Sequence, residues 1–460
     1  MASESRKPAQ PQASRVFLMY YAGDFATSRA KGLEANSILG RHPQSDRIRM
    51  NATSTEQKRI LVLGGGFAGL WSAVGAARKL DELGLGTAQV EVTLVNRDAY
   101  HSIRVRNYEA DLSQVRVPLD DVLEPVGIRR IEGQVTGIDL DAQTVQLDNA
   151  PELAYDRLVF ALGSQIVCPN INGLAHYAFD VDTYAGAVKL QQHLTSLGDR
   201  EQTTGQFTVV IVGAGLTGIE TAAEMPSRLR SIQPLANYAQ PIRVILADHH
   251  PQVGSDMGES ARPVIAEALA ALGVETRLGI EVASITQAGI TLTSGEQIPA
   301  ATVVWCAGMK ANPLTSQFPV ELDHFGRVPV DAYLRVKGVD NVFAVGDVAN
   351  LLVDDSHASV MSCQHGRPMG RFAGHNVICD LLGLPMLPLR LEHYVTVLDL
   401  GPWGAVYTEG WNRQVIATGM SAKQTKMTIN RQRIYPPLNR DRQEILNAAA
   451  HMVQSAPDVN

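Results

Sequence analysis

Two glycine-rich stretches carry residue types at a spacing that can hold the pyrophosphate of a dinucleotide. In each, an apolar run leads into the pattern Gly-x-Gly-x-x-Gly and then into apolar residues at helical spacing. The first glycine allows a tight turn, the second lets backbone approach a phosphate, and the third lets the helix pack on the strand. Free N–H groups and the positive end of the helix then face the phosphates. The glycines are Gly64, Gly66 and Gly69 in the first stretch and Gly213, Gly215 and Gly218 in the second.

Either stretch alone is also compatible with a turn that serves packing. Both stretches, however, are followed by a second apolar strand with a polar residue at its end, Asn96 in the first unit and Asp248 in the second. A residue at that position can hydrogen-bond the adenosine ribose, more strongly as a carboxylate than as an amide. Since no arginine adjoins Asp248, a 2′-phosphate would meet a like charge there, which predicts NADH rather than NADPH.

The elements around these turns predict an α/β protein with two Rossmann-like dinucleotide-binding domains and a C-terminal α+β domain. We expect the first domain in two parts, residues 57–200 and 326–385, with the second domain, 201–325, inserted between them. Residues 386–460 form the expected C-terminal domain. Other predicted elements are strands at Tyr155–Ser164 and Ala301–Gly308, a β-meander over Ile131–Leu147 and strands within Leu387–Ile416. Helices are predicted at Ala261–Leu272 and Arg440–Met452, and a helix with a linker over Leu190–Gly205.

Residues 1–56 lack a sustained hydrophobic period and are rich in Ser, Arg, Gln and Ala, which predicts a disordered tail. A transit peptide is the alternative, but Glu4, Asp24 and Glu34 argue against it. The functional chain is expected to begin near Met50.

Composition narrows the function further. The net charge of −7 and the pI near 6.0 give no support for a nucleic-acid partner. The cysteines Cys168, Cys306, Cys363 and Cys379 form no C-x-x-C pair, so neither a vicinal redox disulfide nor a metal site is predicted. Scattered cysteines fit a reducing, cytoplasmic compartment, and no apolar run is long enough to span a membrane.

With these residues in order, the chain resembles the two-dinucleotide-binding-domain flavoproteins over roughly Lys58 to Pro437. That family includes type II NADH dehydrogenases, the apoptosis-inducing-factor group with its ferroptosis-suppressing quinone reductases, and disulfide reductases. The resemblance implies FAD at the first glycine turn, NADH at the second, and a returning strand whose Asp347 meets the flavin's ribityl–phosphate part. The implied cofactor-binding residues are Gly64, Gly66, Phe67, Ala68, Gly69, Asn96, Arg97, Val135, Ala161, Gly163, Gly213, Gly215, Leu216, Thr217, Gly218, Asp248, Ala307, Gly308, Gly346 and Asp347.

Several absences and matches narrow the subfamily. Disulfide reductases need paired cysteines, which this chain lacks. Related peroxidases carry a cysteine in the loop that corresponds to Tyr100–Tyr108, and this loop contains no cysteine. The stretch Trp305–Pro313 resembles the W-x-A-G-x-x-x-x-P motif of type II NADH dehydrogenases. Their quinone-side motif, A-Q-x-A-x-Q-x-G, matches at its first glutamine, Gln364, whereas the second glutamine is replaced by Pro368.

The resemblance implies an FAD-dependent NADH:acceptor oxidoreductase, with a quinone as the small-molecule acceptor. Glu220 and Gln364 are the predicted catalytic residues, which would tune the flavin and supply protons. Alternatively, Glu220 is simply an acidic residue placed favourably near a helix N-terminus. One alternative function is a redox-gated NADH-binding protein of the apoptosis-inducing-factor type. Another is a sulfide:quinone-type reductase that uses Cys168 and Cys363, which are otherwise ordinary buried thiols.

A basic run near the C-terminus raises the question of membrane contact. Lys423, Lys426, Arg431 and Arg433 are interpreted either as a solvated face or as a patch that attracts anionic lipid. The second interpretation predicts peripheral contact with the inner face of the membrane. A homodimer is one expected assembly.

Overall fold

A five-stranded parallel sheet carries the first glycine turn. Its strands, in spatial order, are Val342–Ala344, Arg157–Phe160, Lys58–Leu63, Val90–Asn96 and Arg129–Glu132. The structure is a computed structural model that describes residues 56–199, 203–232 and 241–455. The tail predicted for residues 1–56, except Glu56, and the predicted start at Met50 therefore lie outside the described residues. The side chains of Ile60–Leu63 are buried, as expected for a parallel strand covered on both faces.

A second five-stranded parallel sheet carries the second glycine turn. Its strands, in spatial order, are Ala178–Phe179, Thr302–Trp305, Thr208–Val212, Arg243–Asp248 and Val274–Leu278. The central strand Thr208–Val212 is buried along its length. Because each turn leaves the carboxyl end of a central strand, both lie at the sheet edge where α/β proteins bind ligands. The predicted α/β fold class with two Rossmann-like units is confirmed.

Helices flank these sheets, and two of them begin at the glycine turns. The helices are α1 (Phe67–Leu83), α2 (Asp120–Leu123), α3 (Leu174–Tyr177), α4 (Tyr184–Ser196), α5 (Leu216–Ile232), α6 (Gly258–Leu272), α7 (Cys363–Leu382), α8 (Gly419–Thr428) and α9 (Arg442–Ala448). Helix α1 begins directly after the first turn and α5 directly after the second.

Helices α1 and α7 approach each other closely because glycines lie between them. A Cβ atom at Gly374 of α7 would lie 2.3 Å from the carbonyl oxygen of Ser72, and one at Gly370 would lie 2.3 Å from that of Ala68. Any larger residue would push the helices apart. This contact holds the N-terminal half of α7 beside the first glycine turn.

A C-terminal antiparallel sheet covers α5. Its strands are Val395–Asp399, Ala405–Glu409 and Gln414–Thr418. Leu398 and Val406 of this sheet share a buried core with Ile219 and Met225 of α5. Helix α8 follows the sheet, so the C-terminal region lies directly over the helix that begins at the second turn.

Shorter sheets complete the fold; they are antiparallel except for the parallel pair of Val328–Pro329 with Ala349–Asn350. Three-stranded sheets are formed by Val135–Asp139, Thr144–Leu147 and Leu153–Ala154, and by Val282–Thr286, Gly289–Leu292 and Gln297–Pro299. Two-stranded sheets pair Tyr100–Ser102 with Arg116–Pro118, Ser164–Ile166 with Met309–Ala311, and Val328–Pro329 with Ala349–Asn350. Among the described residues, no helix has the length and apolar character needed to cross a membrane.

Several predicted elements differ from the structure in their bounds; the helix predicted over Arg440–Met452, for example, is α9 (Arg442–Ala448). The helix of the helix and linker predicted over Leu190–Gly205 is α4, which begins earlier because the hydroxyl of Thr183 caps it by accepting the N–H of Gly186 at 2.9 Å. The meander predicted from Ile131 starts only at Val135, since Arg129–Glu132 joins the first parallel sheet. Alternation of side chains alone does not distinguish these two pairings.

Candidate functional site

The first glycine turn is tightly packed on its sheet side and open on its other side. Gly64 has φ +101°, and a Cβ atom there would lie 2.5 Å from the carbonyl oxygen of Ala161. A Cβ atom at Gly69 would lie 1.8 Å from the carbonyl oxygen of Gly64. A Cβ atom at Gly66, in contrast, meets nothing within 4 Å. The turn therefore has the space that close approach of a pyrophosphate requires.

The second turn repeats this geometry. Gly213 has φ +110°, and its Cβ atom would lie 2.8 Å from the backbone nitrogen of Ala307. A Cβ atom at Gly218 would lie 1.7 Å from the carbonyl oxygen of Gly213. The structure thus brings the predicted residues Ala161 and Ala307 to the first and second turn, respectively.

In each unit, the residue at the end of the second strand accepts a hydrogen bond from the backbone of the glycine turn. The side-chain oxygen of Asn96 accepts the N–H of Gly65 at 2.9 Å, and its amide nitrogen donates to the carbonyl of Asp98 at 2.9 Å. In the second unit a carboxylate oxygen of Asp248 accepts the N–H of Ala214, which is the equivalent position. An amide supports this turn contact as a carboxylate does, so Asn96 fits its position. Sequence reasoning, which considered only the ribose, missed this role.

The returning segment reaches the first turn at Gly346 and Asp347. Gly346 has φ +72°, and a Cβ atom there would lie 2.8 Å from that of Ala68. The carboxylate of Asp347 accepts the Ser164 hydroxyl at 2.6 Å, and Arg104 donates to the same hydroxyl at 2.9 Å. Burial raises the pKa of Asp347, and the Ser164 hydrogen bond opposes that shift. Asp347 therefore lies beside the polar side chains of Ser164 and Arg104, in surroundings that suit the predicted contact with a polyhydroxyl chain.

The remaining predicted cofactor-binding residues differ in their surroundings. Phe67 opens α1 and packs edge-on against His101, with ring centroids 4.9 Å apart. The other positions are described by their backbone or exposure: Gly163 (φ +69°) and Gly308 (φ +74°) are left-handed, Val135 is buried, Gly215 and Leu216 are half-buried, and Arg97 and Thr217 are exposed.

Gln364 lies in the first turn of α7 and connects that helix to the C-terminal sheet. In the amide orientation that satisfies both groups, its nitrogen donates to the carbonyl of Val395 at 2.9 Å and its oxygen accepts the N–H of Val395 at 3.3 Å. Pro368 has no N–H, so the backbone carbonyl of Gln364 has no helical donor. The replacement of the second motif glutamine by Pro368 thus leaves an additional acceptor near the helix start.

A buried ion pair joins Glu220 of α5 to Lys426 of α8. The lysine Nζ lies 2.7 Å from Oε1 of Glu220 and also donates to the carbonyl of Val397 at 2.8 Å. The N–H of Asp399 donates to the same glutamate oxygen at 3.1 Å. Burial raises the pKa of Glu220, and Lys426 opposes that shift. Burial alone would lower the pKa of Lys426, but the charge and hydrogen bond of Glu220 and the charge of Asp399 act in the opposite direction, and the net shift is upward.

A second layer of ionisable groups surrounds this pair. Lys423 lies 2.5 Å from a carboxylate oxygen of Asp399, whose other oxygen accepts the hydroxyl of Tyr108 at 3.2 Å. Burial raises the pKa of Tyr108 well above its usual value, and Glu220 and Asp399 add to the shift. The solvated basic face and the lipid patch predicted for Lys423 and Lys426 are therefore wrong, because both lysines are engaged with carboxylates. Sequence reasoning missed the pairing, since 206 residues separate Glu220 from Lys426; the one signal was the position of both lysines on one helical face.

The four cysteines are free thiols. Burial raises the pKa of the Cys363 thiol, and burial raises that of Cys306 to about 12. Cys168 is exposed. Because the thiolate is the nucleophile, a raised pKa makes Cys363 a poor one.

Comparisons with known proteins agree with this geometry. Residues 58–370 match the model of the pyridine nucleotide-disulphide oxidoreductase family. An NADH dehydrogenase-like protein of Mycobacterium tuberculosis is 57% identical over 399 residues, which cover 87% of this chain and 100% of that protein. The demethylphylloquinone reductase of Synechocystis is 30% identical over 361 residues, 76% of this chain and 86% of that protein.

A solved structure shows the same fold. The NDH2 protein of Plasmodium falciparum in complex with NADH matches with a TM-score of 0.68 and 13% identity, covering 86% of this chain and 98% of that chain. The predicted enzyme class, an FAD-dependent NADH dehydrogenase, is confirmed by the family match and by the Mycobacterium tuberculosis relative. The chain belongs to the pyridine nucleotide-disulphide oxidoreductase family.

Proposed function

We propose that the protein is an NADH:quinone reductase, in which NADH reduces FAD and the two electrons then pass to a quinone. The observation that carries this proposal is the buried Glu220–Lys426 pair at the start of α5. Glu220 lies two residues past Gly218, so a dinucleotide held by the second turn extends from the helix end that carries this glutamate. The same pair contacts the C-terminal sheet, to which Gln364 is also tied.

The residues at both turns fit the cofactors of the family. Open space at Gly66 and free N–H groups at the start of α1 suit the FAD pyrophosphate, while Asp347 and Ser164 offer polar atoms for its ribityl chain. FAD, when bound there, would supply the two-electron redox chemistry of the reaction. The second turn and Asp248 would hold the pyrophosphate and adenosine ribose of NADH.

The role of the chain itself is positioning and proton supply. A quinone that gains two electrons must also gain two protons. Because burial raises the pKa of Glu220, its carboxyl can hold a proton closer to neutral pH than an exposed glutamate. Lys426 keeps its positive charge beside this carboxyl and orients it, and Asp399 links the pair to Lys423 and Tyr108. Gln364 then positions α7 against the C-terminal sheet.

One feature favours NADH over sulfide as the electron donor, and another favours a quinone as the acceptor. The raised pKa of Cys363 disfavours the sulfide:quinone alternative, which needs two reactive thiols. The names of relatives in Synechocystis and Staphylococcus aureus, a demethylphylloquinone reductase and a type II NADH:quinone oxidoreductase, point to a quinone acceptor. Peripheral contact with the inner face of a membrane remains part of the proposal and now depends on Arg431 and Arg433 instead of the lysines.

A steady-state screen tests the proposal. FAD-loaded protein is assayed with NADH against neutral naphthoquinones, ferricyanide and oxygen, and with sulfide as the alternative donor. Rapid quinone-dependent NADH oxidation is expected. A long-lived reduced enzyme that no quinone reoxidises would instead support the redox-gated alternative, and sulfide-dependent quinone reduction without NADH would support the thiol mechanism.

A further inference from the structure

Three side chains that can bind a transition metal lie together at the end of the second strand of the second Rossmann-like unit. Strand Arg243–Asp248 is followed directly by His249 and His250. One carboxylate oxygen of Asp248 and one ring nitrogen of each histidine lie within 4.8 Å of one another. In the part of the chain that the structure describes, no other three His, Cys, Asp or Glu side chains bring their ligand atoms this close together. These three side chains form the Asp-His-His cluster.

The nearest two ligand atoms of the cluster already have the spacing of a zinc site. Oδ1 of Asp248 lies 3.3 Å from Nδ1 of His249. Zn²⁺ binds carboxylate oxygens and imidazole nitrogens at about 2.0–2.2 Å, so two ligands of a tetrahedral ion stand about 3.3–3.5 Å apart. The ring of His250 lies beside that of His249, with centroids 4.1 Å apart. Because both rings are exposed, rotation of their side chains suffices to bring the third ligand to the same point.

Hydrogen bonds hold the backbone of the cluster in place. Oδ1 of Asp248 accepts the N–H of His250 at 2.7 Å. The carbonyl oxygens of Asp248 and His250 accept the N–H groups of Ile280 and Gly279, respectively, both at 3.0 Å. These bonds tie the cluster to the segment that follows strand Val274–Leu278. An ion that binds here orders only the two histidine rings, which keeps the entropy cost of binding low.

The cluster adjoins the place proposed for the adenosine ribose of NADH. Oδ2 of Asp248 accepts the N–H of Ala214 in the second glycine turn. That contact leaves Oδ1, which faces His249, as the oxygen for an incoming ligand. A ribose hydroxyl and a metal ion would compete for this oxygen, so the two ligands exclude each other.

We propose that Asp248, His249 and His250 bind Zn²⁺ and that the bound ion excludes NADH from the second turn. Imidazole and carboxylate groups are both zinc ligands, and three of them leave the fourth tetrahedral position to water, as in an open zinc site. This inference rests on the proposed function, because it adds a regulatory ion to the NADH end of the same site. It predicts inhibition by zinc that NADH relieves.

Calorimetry measures the metal site itself. Zinc chloride is titrated into oxidised FAD-loaded enzyme without NADH, for the wild type, His249→Gln and His250→Gln. Loss of a group that only supports a zinc ligand lowers metal affinity about 10- to 100-fold, so loss of a ligand should lower it at least as much. Equal zinc affinity in the wild type and both variants, or the absence of saturable binding to the wild type, would overturn the inference.

Two controls separate the cluster from general binding of cations to the surface. The variant His324→Gln removes an exposed histidine from another loop and should bind zinc as the wild type does. Magnesium chloride is the matched salt, because Mg²⁺ prefers oxygen ligands and should give no comparable heat. Zinc binding that His324→Gln weakens as much as His249→Gln would assign the heat to scattered histidines and would also overturn the site.

Stopped-flow reduction of the flavin by NADH tests the competition. This half-reaction requires no electron acceptor. Zinc should raise the NADH concentration that gives half of the limiting rate and leave the limiting rate unchanged. At a zinc concentration ten times its dissociation constant the increase should be about tenfold, and it should be absent from His249→Gln and His250→Gln at that concentration. A lower limiting rate with unchanged half-saturation would contradict the exclusion of NADH.

The outcome for zinc is independent of the outcome for the acceptor. Zinc that binds the cluster and competes with NADH supports the inference even if no quinone reoxidises the flavin. If quinones are reduced with NADH but zinc neither binds nor competes, the proposed function stands and the zinc site is wrong.

Discussion

Replacement of Lys426 by methionine tests the central ion pair. The lysine Nζ lies 2.7 Å from Glu220, and the side chains are 11% and 9% exposed. Methionine keeps most of the side-chain volume but leaves the glutamate buried next to Asp399. Breaking a buried pair on one side typically costs about 3–5 kcal/mol, because an uncompensated charge remains. We expect Lys426→Met to lose stability on that scale.

The double variant Glu220→Gln/Lys426→Met provides the matched control. It removes both charges, so it should recover most of the stability that Lys426→Met loses. The pH dependence has a defined sign. Because Glu220 has a raised pKa in the folded state, its proton favours folding at low pH, and this contribution is lost as the pH rises through the folded pKa. The shift is larger without Lys426, so the deficit of the single variant should be small near pH 4, roughly the unfolded glutamate pKa, and grow toward pH 7.

Urea denaturation at several pH values measures these differences. Each protein is followed by tryptophan fluorescence and by far-UV circular dichroism, because a chain of this size need not unfold in two states. Equal midpoints for Lys426→Met and the double variant at neutral pH would refute the reasoning. A deficit that shrinks as the pH rises would also refute it.

Three further predictions concern the turns and the catalytic residues. Gly69→Ala should prevent stable assembly of the first turn, because the added Cβ atom would collide with the backbone. Gly66→Ala should fold normally, because its added methyl group enters open space. This methyl group would lie beside the phosphates, so flavin titrations should show a roughly tenfold weaker FAD affinity. Glu220→Gln should lower kcat with a quinone on the order of 10²-fold while stopped-flow reduction of the flavin by NADH stays near the wild-type rate; slower flavin reduction would place Glu220 in hydride transfer instead. Asp248→Asn should reduce kcat/KM for NADH roughly tenfold without a matching loss for NADPH, and equal losses would indicate that Asp248 supports only the turn.

The glycine turns could be predicted because their constraints are local. Gly64, Gly69, Gly213 and Gly218 each lie where a Cβ atom would collide with backbone, and the sequence spacing follows directly from that collision. Even so, the shared contact of Asn96 and Asp248 with their turns was missed. Strand-end residues were considered as ligands of a ribose and not as supports for the turn.

The ion pair and two buried arginines of α7, Arg367 and Arg371, could not be predicted, because tertiary packing creates them. Lys426 lies in a basic run that is typical of an exposed helix, and only the C-terminal sheet places it over α5. Arg367 and Arg371 have the helical spacing of a solvated stripe, yet the glycine contact between α1 and α7 buries them against Trp71. A local pattern does not specify which face of a polar helix a distant segment will cover.

An anaerobic double-mixing experiment tests the proposed function most directly. FAD-loaded enzyme is mixed first with one equivalent of NADH and then with a neutral naphthoquinone, while the flavin absorbance is followed. We predict that NADH bleaches the flavin and that the quinone restores its absorbance at least as fast as steady-state turnover. A protein that binds no flavin after reconstitution, or a reduced flavin that the quinone leaves bleached, would contradict the account.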